Sequence, residues 1–237
     1  MRRITLLGQG QRWRRIVPMV MVTAALAALD QINLSFALPS IGKELAIGAT
    51  LVGVVGGVLS LGALLAHAPG GYWVSKWGPR RIVALGLIAW GALALANSGV
   101  QNTAQLMIVR FVLGVVEGIT TPALLVLLSR WFPLVERARA NAYWMFCFPL
   151  AALILRPLIG WLLTFTTWRT LFLIEGIIPL LWVPCWWLCI ADKPELARWL
   201  QKEERDALIY QFGRDAAHDR GIGVIGGGWS RIGVCGY

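Results

Sequence analysis

The chain has 237 residues, 57% of them hydrophobic and only 14% charged, and a formal net charge of +10. A soluble domain carries about a quarter charged residues, so the composition excludes an ordinary water-soluble globule and points to a membrane protein. Four cysteines and two histidines are scattered without ligand spacing, and no nucleophile–base set appears, so no catalytic residue, metal site or cofactor is expected.

In chain order, the basic start "MRRITLLGQGQRWRR" leads into an apolar stretch over about 16–38. The layout resembles a secretory signal, but the run continues through "DQINLSFAL" and five more apolar stretches follow, so an uncleaved first helix is expected. The later spans are expected at roughly 50–74, 82–99, 104–128, 141–165 and 170–191, each close to the ~20 residues that cross a bilayer. Trp182, Trp186 and Trp187 near the end of the sixth read as an interfacial belt. "ADKPELARWLQKEERDALIYQ" then reads as one helix, with Asp192 as its cap and Pro194 in its first turn. Residues 221–237 hold seven glycines. "GIGVIG" at 221–226 matches a dinucleotide-loop spacing but lacks the strand before and the helix after it. Two regions are therefore expected, a six-helix bundle over 1–191 and a cytoplasmic tail over 192–237.

The 22 basic residues fix an orientation. Eighteen fall in the N-terminal segment, "SKWGPRR", the connection from 129 to 140 and the tail, all on one side. Only Lys43 and Arg169 fall on the other, while Arg110 and Arg156 lie inside spans. Positive-inside bias places both termini in the cytoplasm. The basic balance is topological, and nucleic acid is not expected as a partner.

Asp30, Arg110, Glu117, Arg156 and Glu175 are ionisable residues within the spans. Each costs roughly 2.5–3.5 kcal/mol at a helix centre, so such groups face a bundle interior or a water-filled cavity. Arg110 and Glu117 are seven apart on one helical face, about 10.5 Å along the axis. That is too far for the usual i,i+4 pair, so each is expected to meet another helix, water or a ligand. Glu117 is expected near the midplane, Arg110 about 9–10 Å outward, and Asp30 at a depth between them. Asn33 and Ser35 extend the polar face of the first helix, so helices 1 and 4 should converge at mid-membrane. His67 reads as a hydrogen-bonded helix-packing histidine and Glu175, near the outer end of the sixth span, as a structural residue.

Five stretches carry a family resemblance. "ALDQINLSFALPSIGKEL", "GGYWVSKWGPRR", "RFVLGVVEGITTPALLVLLSRWFPLVERARA", "WRTLFLIEGIIPLL" and "DKPELARWLQKEER" resemble the first helix, the signature between helices 2 and 3, the fourth helix with its following loop, the sixth helix and the start of the central loop of the anion:cation symporters within the major facilitator superfamily. Over about 1–212 the chain is similar to the N-terminal half of such a transporter. The resemblance implies an all-α membrane fold of six transmembrane helices, a 3+3 inverted repeat that pairs with a second half-transporter, in which the sixth helix, carrying Glu175, is a peripheral scaffold helix. It implies proton-coupled symport of sugar acids or related carboxylates in a cell membrane, the bacterial inner membrane. The alternative is a non-transporting remnant or a sensor derived from such a carrier. Asp30 and Glu117 match the family's proton-coupling carboxylates, and Arg110 matches an arginine implicated in anion binding and in pairing with the glutamate. Gly71, Lys76, Gly78, Arg80 and Arg81 match the gating-loop signature. Three positions depart from the pattern: Ser75 replaces the signature's acid, Gln31 replaces an arginine, and Arg156 stands where a small neutral residue is common. Arg110, Gln31, Asn33 and Arg156 are thus the expected substrate wall, with Arg156 supplying the cation that Gln31 does not.

In this family logic an anion on Arg110 would weaken the cation's hold on Glu117 and favour its protonated form, so proton and anion travel together. The orientation is tested by fusing reporters after Tyr237. A cytoplasm-dependent reporter should be active, and activity of a periplasm-dependent reporter there would reverse the topology.

Overall fold

A computed structural model describes residues 10–225, without the side chains of Ala49 and 216–225. Six long helices form the bundle: α1 (Gln11–Glu44), α2 (Ala49–Trp77), α3 (Pro79–Ser98), α4 (Thr103–Trp131), α5 (Leu134–Leu162) and α6 (Trp168–Cys189). All six are long and apolar enough to cross a membrane. The helices overrun several expected spans. Thus α5 begins at Leu134 rather than near 141, because Glu136, Arg137 and Arg139 are helical although they are not apolar. Apolarity marks where a helix leaves the bilayer, whereas backbone hydrogen bonding continues into the polar interface.

The packing is that of two inverted three-helix repeats. If α1–α3 are mapped onto α4–α6, the α1·α5 contact becomes α4·α2, the α1·α6 contact becomes α4·α3, and α3·α6 maps onto itself. Small residues allow these crossings. A side chain on Gly114 or Gly118 of α4 would strike the backbone of α2 at Leu59 or Ala63. A Cβ on Gly91 of α3 would sit 2.7 Å from the Gly176 carbonyl of α6. Lipid tails supply no hydrophobic drive between helices, so close backbone approach supplies the packing contact instead.

One end of the bundle gathers the N-termini of α1, α3 and α5, and here the segment after α6 differs from the expected single helix. It makes a short 3-10 turn (Pro194–Leu196), then α7 (Lys202–Ile225). Asp192 does not cap its own helix. Its Oδ1 accepts from the Arg80 N–H at 3.0 Å, at the start of α3. Glu204 Oε2 likewise accepts from the Gln11 N–H of α1, and Asp215 Oδ2 from the Leu134 N–H of α5, both at 3.0 Å. Three free helix starts thus each receive a carboxylate from the same following segment, the arrangement that satisfies orphan donors and the positive helix end. Trp199 stacks on Trp131 at 5.2 Å, and the Arg15 guanidinium lies over Trp199.

The gating-loop residues sit at this end. Gly78 adopts φ +82° between α2 and α3, a conformation suited to glycine, and a Cβ there would lie 2.7 Å from Asp192 Oδ1. Arg80 donates to the Trp187 carbonyl and lies over its ring, while Trp186 Nε1 donates to the Arg80 carbonyl at 3.1 Å. Trp186 is fully buried, so it is a core residue rather than part of an interfacial belt. Gly71 and Lys76 lie within α2, not in a loop, and with Arg81 they are exposed.

Between α1 and α5, Arg12 Nη2 binds both Glu136 oxygens at 2.8 Å, and Trp13 Nε1 donates to the same carboxylate at 3.2 Å. Both ionic side chains are only 6% exposed. At the opposite end Glu44 of α1 accepts from Arg169 and Trp168 of α6, and Arg169 also donates to the Ser98 and Val100 carbonyls. Glu136→Ala should leave Arg12 with only its 3.7 Å contact to Glu204; breaking a buried pair outright costs about 3–5 kcal/mol, so a measurable loss below that range is expected. Thermal unfolding of the purified variant checks this, and an unchanged midpoint would contradict it.

Candidate functional site

The expected convergence of α1 and α4 takes a specific form. Arg110 does not meet Glu117. Its Nη1 donates to both oxygens of Asp30, at 2.7 and 3.0 Å. Arg110 is fully buried and Asp30 is 1% exposed. The guanidinium also lies over the Phe172 ring of α6, 5.2 Å from its centre.

Asn33, one turn along α1 from Asp30, is buried with it and donates from Nδ2 to Glu175 Oε2 at 2.6 Å. Glu175 is 1% exposed and also lies in hydrogen-bonding range of Asp30. The residue read from sequence as peripheral is therefore part of the central polar cluster. A signal for it was present. Arg110 and Glu175 each lie seven residues past the starts of α4 and α6, which begin at the same end of the bundle, so they are at similar depth.

Gln31 and Ser35 lie on another face of α1. Gln31 Nε2 donates to Glu117 Oε1 at 3.3 Å, and Glu117 is partly exposed. Glu117 sits inside the Gly114–Gly118 contact with α2, so the close helix crossing positions it at the edge of that seam. His67 of α2 is in electrostatic range of Glu117, but it is exposed and bonded through Nδ1 to the Ala63 carbonyl, so it is not a buried packing residue.

A cavity of about 540 Å³ opens between α1 and α5, lined by Gln31, Ser35, Phe36, Phe148, Pro149 and Arg156 among others. Arg156 is exposed, and among the described residues no ion pair or hydrogen bond engages it. The expected substrate wall thus divides in two. Gln31 and Arg156 face the cavity, whereas Arg110 and Asn33 are sealed into a cluster with Asp30 and Glu175. Chemically, the cavity offers a cation, an amide, a hydroxyl and two aromatic rings, a set suited to a small carboxylate. The sealed cluster offers charge compensation and proton-holding groups.

No group of three or more histidine, cysteine or carboxylate side chains with metal-binding geometry occurs among the described residues.

The profile of the Major Facilitator Superfamily matches residues 20–232. A provisionally named tartrate transporter of Agrobacterium vitis is 32% identical over 209 residues, which is 86% of this chain and 46% of that protein. The hexuronate transporter of Bacillus subtilis is 28% identical over 171 residues, 70% of this chain and 40% of that one. The inner membrane transport protein RhmT of Escherichia coli is 28% identical, over 84% of this chain and 48% of its own length. The chain spans about half the length of these curated relatives. Among solved structures, the proton:xylose symporter XylE bound to 6-bromo-6-deoxy-D-glucose superposes with a TM-score of 0.70 at 14% identity, over 91% of this chain and 54% of that one. That likeness concerns the fold. The inverted-repeat packing, the six membrane-length helices and the sequence match agree: the chain is a multi-pass membrane protein of the Major Facilitator Superfamily, related to anion and sugar-acid transporters and not to enzymes.

Proposed function

We propose that this chain is the N-terminal bundle of a proton-coupled carrier of small organic anions. The observation that carries the reading is the junction at Gln31. This residue is hydrogen-bonded to the partly exposed Glu117, and it lines the same cavity as Arg156, which has no ion pair among the described residues. A carboxylate in that cavity can reach a guanidinium on one wall while it perturbs a carboxyl group through one intervening amide. The names of the relatives, tartrate and hexuronate transporters, support a carboxylate as the solute.

In this reading Glu117 holds the coupling proton. The Arg110–Asp30 pair is the element that opens and closes, and Arg156 replaces the cation absent at position 31. Residues 1–191 form the transport bundle and 192–237 a cytoplasmic tail. Both termini lie in the cytoplasm, in keeping with eighteen basic residues on that side, and the membrane is a bacterial inner membrane like that of RhmT. Alternating access requires two bundles rocking about a site between them, so transport needs a second half-transporter. The second reading is a non-transporting remnant or a sensor derived from such a carrier, which the transport assay separates from the first.

The test is a chimera completed by the second half of the Agrobacterium vitis relative, in liposomes with an inward proton gradient. The chimera should accumulate tartrate or a sugar acid, and this chain alone should not. Glu117→Gln should abolish uphill accumulation and retain exchange. Arg156→Ala should lose anion binding, and Gln31→Arg should restore it. Unchanged gradient-driven accumulation in Glu117→Gln would show that the proton travels elsewhere. No accumulation by the folded chimera would favour the second reading.

A further inference from the structure

Glu175 belongs to no part of the mechanism above, yet it is among the most deeply buried ionisable groups of the bundle. Its surroundings decide what it can be. From α1 it meets Asp30 and Asn33, and from α4 Arg110 lies in electrostatic range. The other helix packed closely on α6 is α3, whose only ionisable residues are Arg80 and Arg81 at its far end. Glu117 lies two turns further along α4, held by Gln31, and Arg169 and Glu44 pair with each other at the start of α6. The sealed cluster therefore contains one cation and two carboxyl groups.

Two ionised carboxylates cannot share one guanidinium out of water without leaving a net buried charge, which is far costlier than taking up a proton. Two acids in contact commonly resolve this by holding one proton between them. The geometry fits. Asp30 already accepts both of Arg110's bonds. Glu175 presents one oxygen to the Asn33 amide, and its other oxygen, Oε1, has no donor. A proton on either acid converts the Asp30–Glu175 contact from two acceptors into a donor and an acceptor.

We infer that Asp30 and Glu175 form a proton-sharing carboxyl pair across α1 and α6, which keeps the Arg110 cage electrically neutral. Glu175 is then a positioning residue. By carrying the proton it leaves Asp30 ionised and tied to Arg110. When the proton departs to water, two carboxylates compete for one guanidinium, and the bond between α1 and α4 loosens. This deepens the proposed coupling and rests on it for what the proton does, but the occupancy of the pair can be read without transport.

The experiment is infrared spectroscopy of the purified chain in lipid nanodiscs at neutral pH, following the C=O stretch of protonated carboxyl groups. Glu175→Gln should abolish one such absorption, since Asp30 then ionises alone against Arg110. Asp30→Asn should abolish it too, since Glu175 must then ionise to neutralise Arg110. Glu117→Gln should leave it in place. Retention of the absorption in Asp30→Asn would mean that Glu175 is a lone neutral acid held by Asn33, and the inference fails. A spectrum unaltered by Glu175→Gln also overturns it. If Glu175→Gln does not fold, isotope labelling of glutamate carboxyls in the Glu117→Gln chain decides the question: the absorption shifts if Glu175 shares the proton, and no shift overturns the inference. Because none of these readouts involves a solute, failure of transport in the chimera and failure of the proton-sharing pair are separate results.

Discussion

The ion pair between Asp30 and Arg110 joins the first helix of one repeat to the first helix of the other. In a low-dielectric interior neither group is tolerable alone: without Arg110 the Asp30 carboxylate loses its cation, and without Asp30 the guanidinium keeps only Glu175 in electrostatic range on α6. The rest of the site is organised around that constraint. Phe172 and Glu175 close the cluster from α6, Asn33 of α1 donates to Glu175, and the small residues of α4 let α2 approach from the other side. A bond of this kind specifies helix register and can switch between tied and released, a use for which buried ionic groups are retained even where they add little net stability.

Helix α1 serves two environments at once because successive residues on a helix point about 100° apart. Asp30 and Asn33 face the sealed cluster, while Gln31 and Ser35 face the cavity. In the proposed cycle the solute therefore never needs to enter the cage. It acts on Glu117 through Gln31, two turns of α4 away from the Arg110 that Asp30 holds. The two charged ends of the bundle have a different task. Glu44 with Arg169 at one end, and Arg12 with Glu136 at the other, tie helices where the chain leaves the apolar zone. The three carboxylates that cap α1, α3 and α5 bind the tail segment to the bundle.

Much of this was legible in the sequence, for stated physical reasons. Span number follows from apolar length, and the convergence of α1 and α4 follows from the cost of charge in a bilayer. The partner of Arg110 was not legible, because the seven-residue spacing to Glu117 excludes a pair within α4 without choosing among the other helices. Glu175 was misplaced for a related reason. The resemblance implies a peripheral sixth helix, whereas Glu175 lies as far past the start of α6 as Arg110 past the start of α4, at the depth of the central cluster. Trp186 reads as a belt residue from its neighbours Trp182 and Trp187, but helical rotation turns it inward onto the Arg80 carbonyl. The tail is interrupted at 197–201, and Asp192 caps the start of α3 instead of its own segment, a long-range bond that a local reading of caps cannot anticipate.

The central claim, that α1 and α4 are held together by one desolvated ion pair, is tested most directly by a double-mutant cycle. The stabilities of Asp30→Asn, Arg110→Gln and the combined variant are measured by chemical unfolding of the purified chain. Residues that share a buried network show coupling of about 0.5–3 kcal/mol. The account predicts two destabilising single variants and a double variant clearly more stable than their sum. Additive losses would mean that Asp30 and Arg110 do not hold each other, and would contradict it.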